Sequence, residues 1–109
     1  MKQAKLFKSY IPMTETAFYI LISLVEPRHG YGIIKHVETI TNSRIRLGSG
    51  TVYGTLTKMQ RDGLITVYAD DKRKKIYEMT ETGRQIMQQE ITRIKELHAN
   101  AMTFEGELR

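Results

Sequence analysis

The sequence contains no cysteine among its 109 residues. Without cysteine the chain can form no disulfide, and thiolate zinc sites and iron–sulfur clusters are excluded as well. Its three histidines, His29, His36 and His98, are scattered, and no acidic residue stands beside any pair of them at a ligand spacing. We therefore expect neither a metal ion nor a cofactor.

Long hydrophobic runs are also absent. The longest apolar run, Ala17–Ile22, falls well short of the ~18 residues that cross a bilayer, and it starts too late for a secretory signal peptide. We therefore expect a cytoplasmic protein without a membrane partner. Its length gives room for a single hydrophobic core.

The sequence also lacks the arrangements typical of an enzyme. It has no nucleophile paired with a general base and no acidic pair in a plausible cleft. Its short turn Gly48-Ser49-Gly50 is too short for a phosphate-binding loop and has no lysine of that motif. We therefore expect a protein that binds a partner and is not an enzyme.

The whole chain has a net charge of +5, and its positive charge is concentrated in the first two thirds. Residues 1–48 carry seven lysines and arginines against three acids, and residues 49–79 carry six against four. Residues 80–109 carry four against five. This distribution favours a polyanion held by the first two thirds, and it leaves the last third for another role.

Two helices are predicted before residue 42. The first spans Met13–Val25, which is apolar on almost every side, and Pro12 stands at its start, where a missing N–H costs nothing. The second spans Tyr31–Thr41 and has one apolar face. Proline and glycine between residues 26 and 30 separate the two helices.

A third helix is predicted over Thr51–Arg61. Val52, Leu56 and Met59 recur at helical spacing and form its buried stripe. Ser49 is in the position of an N-cap, and Gly63 ends the helix.

The period of the pattern then changes from 3.6 to 2, which indicates strands. Leu64–Tyr68 and Ile76–Met79 are rich in β-branched and aromatic residues, and the polar segment between them ends in four consecutive cations. Thr80 is predicted to cap a final helix that runs from about Glu81 to near the last residue.

Three compact helices followed by a two-stranded ribbon form the layout of a winged helix-turn-helix. We therefore predict a mainly α fold with a small β-hairpin. Residues 1–80 form its DNA-binding domain, and residues 81–109 form a C-terminal dimerisation helix packed on that domain. In this layout the third helix enters the major groove and the ribbon contacts the neighbouring backbone.

The predicted DNA contacts are polar or cationic side chains on the third helix and at the ribbon tip. Hydroxyls and cations can hydrogen-bond base edges or phosphates. A helix face that is simply exposed to solvent has the same composition, however, and Ser49 can act as the helix cap instead. Gly50 and Gly54 favour the DNA interpretation. Each glycine weakens the helix by about 0.5–1 kcal/mol relative to alanine, so its presence needs a compensating reason. The contacts are Ser49, Thr51, Tyr53, Thr57, Lys58, Arg61, Lys72, Arg73 and Lys74.

The final helix carries an apolar stripe at alternating spacings of four and three. This pattern suits a seam between two helices, although a helix packed only on its own domain can show it too. The stripe consists of Met87, Ile91, Ile94, His98 and Ala101, and Leu97 and Phe104 lie along its edge. The histidine is interpreted as a neutral seam residue, with a pH-responsive dimer as the alternative.

Four stretches, in order and at matching spacing over residues 12–84, resemble the PadR family of bacterial transcriptional regulators. The four are Pro12–Leu21, His29–Ile33, Gly50–Leu56 and Tyr77–Arg84. The single C-terminal helix is similar to the smaller branch of that family.

The resemblance implies a winged helix that binds an operator as a homodimer, usually as a repressor, and that is released by a small effector or a stress signal. Some members sandwich planar ligands between tryptophans, which this chain lacks. The alternative function is a winged helix used for protein–protein contact without DNA.

Overall fold

The computed structural model describes residues 3–71 and 74–109, and it describes side chains for residues 3–67 and 74–109. The described chain forms five helices and three strands. They are α1 (Gln3–Tyr10), α2 (Glu15–Ile22, continued by a 3-10 turn over Ser23–Val25), β1 (Arg28–His29), α3 (Gly30–Ile40), α4 (Ser49–Arg61), β2 (Ile65–Asp71), β3 (Lys74–Met79) and α5 (Glu81–Glu105, continued by a 3-10 turn over Gly106–Leu108).

The first predicted helix starts later than expected. Thr14 is its N-cap and accepts a hydrogen bond from the backbone N–H of Ala17 at 3.1 Å, so Pro12 lies outside it. The hydroxyl of Thr14 accepts a hydrogen bond from a helix N–H that would otherwise have no partner. The side chain of Pro12 has no acceptor atom and cannot form such a bond. Helix α1 was not predicted, because eight residues give a weak local signal and depend on tertiary packing for their stability.

Helix α4 has the predicted core face but a different N-cap. Val52, Leu56 and Met59 are at most 1% exposed. The N-cap is Gly48, and Ser49 is the first residue within the helix, so the prediction that Ser49 caps it was wrong. Glycine is tolerated at an N-cap because it adopts the extended backbone there without a side chain.

Helix α4 ends as its sequence predicts. Gly63 has a φ of +80°, and its N–H bonds to the carbonyl of Gln60 while the N–H of Leu64 bonds to that of Met59. This pair of bonds is the Schellman arrangement, which needs a residue that tolerates a left-handed conformation.

The sheet has three antiparallel strands in the order β1-β3-β2. Both ribbon strands are longer than predicted, so Lys74 and Lys75 belong to β3, while Lys72 and Arg73 lie outside the described residues. Strand β1 was not predicted, since its two residues, which pair with Tyr77 and Ile76, carry no periodic pattern.

The core is formed by all five helices and the sheet, but α5 contributes to it only near its start. Gly83, Ile86, Met87 and Glu90 are the buried residues of α5, whereas every residue from 95 to 109 is exposed. The mainly helical winged-helix class is confirmed, and the second half of a 25-residue helix extends away from the core.

Candidate nucleic-acid interface

Helix α4 presents a polar face opposite its buried stripe. Because successive residues turn by about 100°, Gly50, Gly54, Thr57 and Arg61 point most directly away from the core. All six residues of this segment that were predicted to contact DNA are exposed: Ser49, Thr51, Tyr53, Thr57, Lys58 and Arg61. Their exposure agrees with the prediction, and their contact with DNA remains a prediction.

Two glycines leave the outer side of α4 open. A Cβ added at Gly50 or at Gly54 would have no atom of the described residues within 4 Å. The packing of the protein itself therefore does not require glycine at either position. Both positions leave room on the outer side of the helix for the close approach of a partner.

Tyr53 is held at one edge of this face. Its ring lies against the backbone of Gly30 so closely that a Cβ at Gly30 would overlap it, yet the side chain is still 46% exposed. Its backbone carbonyl accepts a hydrogen bond from the hydroxyl of Thr57 at 2.8 Å. Both side chains are thus positioned by the protein and retain polar groups that face solvent.

Lys58 lies at the other edge and is engaged within the protein. Its ammonium group is 3.3 Å from a carboxylate oxygen of Asp62 and 4.0 Å from the centre of the Tyr10 ring. The hydroxyl of Tyr10 donates to Asp62 at 2.7 Å, and this bond holds the pKa of the Asp62 carboxyl below its usual value. Lys58 is therefore tied to α1, which the sequence did not reveal.

Exposed cations continue this polar face on the ribbon. Lys74 and Lys75 are exposed on β3, and together with Tyr31 and Tyr53 they surround a pocket between α3, α4 and β3. Tyr53 of α4 and the two lysines of β3 therefore meet at one pocket, which joins the ribbon to the edge of α4.

Sequence reasoning missed two residues beside this pocket. Tyr31, at the start of α3, is 63% exposed, and the ammonium of Lys35 lies 5.6 Å from the centre of its ring. The sequence carried a signal for this pair, since an aromatic residue and a lysine four residues apart share one helix face.

The predicted dimer stripe divides into a buried and an exposed part. Met87 is only 4% exposed and packs in the core of its own chain, so its assignment to the seam was wrong. The first turns of α5 cover the sheet and α2, and this packing buries Met87. Ile91 and Ile94 are half-buried, whereas His98, Ala101 and Phe104 are exposed.

Two features are absent from the described part of the chain. No helix there is long and apolar enough to cross a membrane. The same residues contain no group of three His, Asp or Glu side chains that could hold a metal ion.

Comparison with known proteins identifies the family. The model of the transcriptional regulator PadR-like family matches residues 19–89, about two thirds of the chain. A curated relative, transcriptional regulator YqjI of Escherichia coli (strain K12), is 34% identical over 61 residues, which make up 56% of this chain and 30% of the relative. The chain thus spans less than a third of the length of that relative.

Solved structures share the fold. A transcriptional regulator from Clostridium thermocellum superimposes with a TM-score of 0.72 at 19% identity over 95% of this chain and 98% of the other. Bacillus subtilis PadR in complex with operator DNA gives a TM-score of 0.59 at 22% identity, covering 70% of this chain and 47% of the other. Because the family model matches about two thirds of its residues, the chain belongs to the PadR-like family of transcriptional regulators.

Proposed function

We propose that the chain is a sequence-specific DNA-binding repressor that acts in the cytoplasm. It binds a palindromic operator as a homodimer and is released by a small effector or a stress signal. The observation that carries the proposal is the outer face of α4, which combines exposed polar side chains with two glycines that the packing does not require. The operator complex of Bacillus subtilis PadR, which has the same fold, supports DNA as the partner.

The division of labour follows from the chemistry of the two elements. Side chains of α4 can hydrogen-bond base edges, which differ between base pairs in the major groove. The lysines of β3, with Lys72 and Arg73, are suited to phosphates, which carry no sequence information. We therefore assign sequence choice to residues 49–61 and affinity that is independent of sequence to residues 72–75.

Gly54→Ala should stabilise the protein and weaken its DNA complex. The new methyl group meets no described atom, so the helix gains about 0.5–1 kcal/mol in free energy of unfolding. The same methyl group points at the operator and should weaken binding by about tenfold. Urea denaturation and fluorescence anisotropy with a duplex from the chain's own promoter region measure the two effects, and unchanged affinity would remove this face as the interface.

Replacing Lys72, Arg73 and Lys74 together with alanine should weaken binding to all duplexes alike. Each lost phosphate contact lowers the slope of log affinity against log salt by about 0.9. Lys95→Ala, an exposed lysine on α5, is the matched control and should leave the slope unchanged. An unchanged slope in the triple variant would refute the phosphate role, and a wild-type dimer that binds no duplex at low salt would favour protein–protein contact instead.

The exposed half of α5 supports the homodimer. Residues 95–105 form the last part of the helix with all side chains exposed, and an isolated helix of that length is marginal in water. Large apolar side chains there are at least half exposed: Leu97, Met102, Phe104 and Leu108. A second copy of the same helix would cover them and would place the two α4 helices about one DNA turn, ~34 Å, apart.

Leu97→Glu combined with Phe104→Glu should convert the dimer to a monomer. Burying two carboxylates in an apolar seam without partners costs several kcal/mol, about enough to shift dissociation by a hundredfold or more. Thr103→Glu, at an exposed position that projects at least about 100° around the helix from Leu97, Met102 and Phe104, is the control. Sedimentation equilibrium reports the association, and the circular dichroism of the folded head should be unchanged; a double variant that stays dimeric would refute the seam.

A further inference from the structure

A groove of about 300 Å³ lies along the edge of α4 that carries Lys58. Its walls come from the end of α1, the start of α2 and the middle of α4. Four of its lining side chains carry hydroxyl or ammonium groups that can donate hydrogen bonds, and these are Ser9, Thr14, Thr55 and Lys58. No carboxylate lines the groove among the described residues, so the groove suits an anionic partner.

The outward side of α1 adds two lysines beside this groove. Lys5 lies one turn before Ser9 on the same side of the helix, and Lys8 lies about 60° further round. Both lysines are exposed, and residues 3–10 contain no acid. Positive charge on α1 therefore borders the groove without an acid on the same helix to neutralise it.

The carboxylates next to the groove residues are engaged by other groups. Asp62 accepts a hydrogen bond from Tyr10 at 2.7 Å and lies 3.3 Å from the ammonium of Lys58. Glu15, which follows Thr14, accepts hydrogen bonds from both terminal nitrogens of Arg44, at 3.2 and 2.8 Å. Lys58 is thus held at the wall of the groove, and the charge of Glu15 is offset by Arg44.

The position of the groove fits the geometry of a helix in DNA. A helix in the major groove, which is about 12 Å wide, has a sugar–phosphate backbone on each side. Tyr53 and Lys58 are about 140° apart around α4, so they mark its two edges when the outer face is turned to the base pairs. The ribbon lies at the Tyr53 edge, where Lys74 and Lys75 line the pocket. The other backbone must then pass the Lys58 edge, where the groove lies.

We propose that this groove and the lysines of α1 bind a second sugar–phosphate backbone of the operator, on the side of α4 away from the ribbon. The inference rests on the proposed function, because it requires α4 to lie in the major groove. Helix α1 precedes residues 19–89, which the family model matches, so the family match does not account for this contact. Phosphate contacts on both sides of α4 fix its orientation in the groove without reading sequence.

Lys5→Ala combined with Lys8→Ala should make the binding of any duplex less dependent on salt. The steepness of log affinity against log salt should fall by about 0.9 to 1.8, which corresponds to one or two lost phosphate contacts. Lys95→Ala combined with Arg109→Ala removes the same charge from exposed positions of the C-terminal region, and this control should leave the salt dependence unchanged. Fluorescence anisotropy with a duplex from the chain's own promoter region measures the affinities, and circular dichroism checks that both variants are folded.

The absence of cysteine from the chain allows a direct test of proximity, since one introduced cysteine is a unique attachment point. Ser9→Cys carrying an azidophenacyl photo-crosslinker should form a crosslink to the duplex at low salt. Lys74→Cys on the ribbon is the positive control, and Asn100→Cys on α5 is the negative control. All three positions are exposed, so labelling should leave the core intact.

The proposal is overturned if Lys74→Cys crosslinks the duplex and Ser9→Cys does not, or if Asn100→Cys crosslinks it as efficiently as Ser9→Cys. An unchanged salt dependence of the α1 double variant also overturns it. If neither Ser9→Cys nor Lys74→Cys crosslinks a duplex and the wild type binds none at low salt, the DNA function fails and this inference fails with it. A crosslink from Ser9→Cys together with the weaker salt dependence supports the second backbone contact.

Discussion

Gly83→Ala is expected to lower the free energy of unfolding by about 3 kcal/mol, the upper range for forcing an extra group into a packed site. A Cβ at this position would overlap the carbonyl oxygen of Leu64 and crowd the side chain of Met79. The carbonyl cannot move aside easily, because it accepts a hydrogen bond from the N–H of Thr80 at 2.9 Å. Helix α5 must therefore shift, and its start loses contact with the core.

Two control variants, Gly106→Ala and Gly54→Ala, distinguish the effect of steric overlap from the effect of replacing any helical glycine. Gly106→Ala places its methyl group where no described atom lies within 4 Å, and it should change stability by less than about 0.5 kcal/mol. Gly54→Ala should be stabilising, as argued above. Urea denaturation followed by circular dichroism measures all three variants. If Gly83→Ala were as stable as Gly106→Ala, the close packing of α5 on Leu64 would be refuted.

Glu90→Ala is the second large effect, with an expected loss of about 3 kcal/mol in free energy of unfolding. The Glu90 side chain is 1% exposed and makes two 2.8 Å hydrogen bonds with Arg93. It also accepts the backbone N–H of Met13 at 3.2 Å. Alanine removes the only partner that Met13 N–H has in the described structure and leaves a cavity, whereas Arg93 is 34% exposed and can turn towards water.

Glu96→Ala, at an exposed glutamate of the same helix, is the matched control and should be nearly neutral. Glu90→Gln keeps an acceptor for Met13 but loses the ion pair, so its stability should lie between the two alanine variants. Equal stabilities of Glu90→Ala and Glu96→Ala would contradict the buried network.

The same residue predicts a dependence on pH. The hydrogen bonds from Arg93 hold the pKa of Glu90 below its ordinary value of about 4.5. A carboxyl whose folded pKa is lowered stabilises the fold fully above the ordinary value, and this stabilisation is lost as the pH falls through the folded one. The thermal midpoint of the wild type should therefore fall more steeply below about pH 4.5 than that of Glu90→Gln. Parallel curves would refute this coupling.

Local sequence signals located most of the elements. The buried stripe of α4, the glycine that ends it and the threonine that caps α5 were all predicted, because each depends on residues within one or two turns. The polar outer face of α4 was predicted for the same reason, since the buried stripe fixes which side chains face outward.

The arrangement of the site depended on contacts between distant parts of the chain. Tyr10 bonds to Asp62, 52 residues away, and Met13 to Glu90, 77 residues away. Such contacts tied Lys58 to α1 and placed Tyr53 on Gly30, and neither arrangement leaves a periodic trace in the sequence. The pocket between α3, α4 and β3 likewise depends on a distant pairing, since strand β1, which leads into α3, pairs with β3.

The sequence by itself determined the class of fold, the face of α4 and the basic character of the surface, because helical period, capping and charge are properties of neighbouring residues. Only the tertiary structure decided that Met87 belongs to the core, that Glu90 is buried and that the start of α3 meets the ribbon lysines at one pocket. Those outcomes depend on which surfaces meet when the chain closes, and burial is a property of the assembled core.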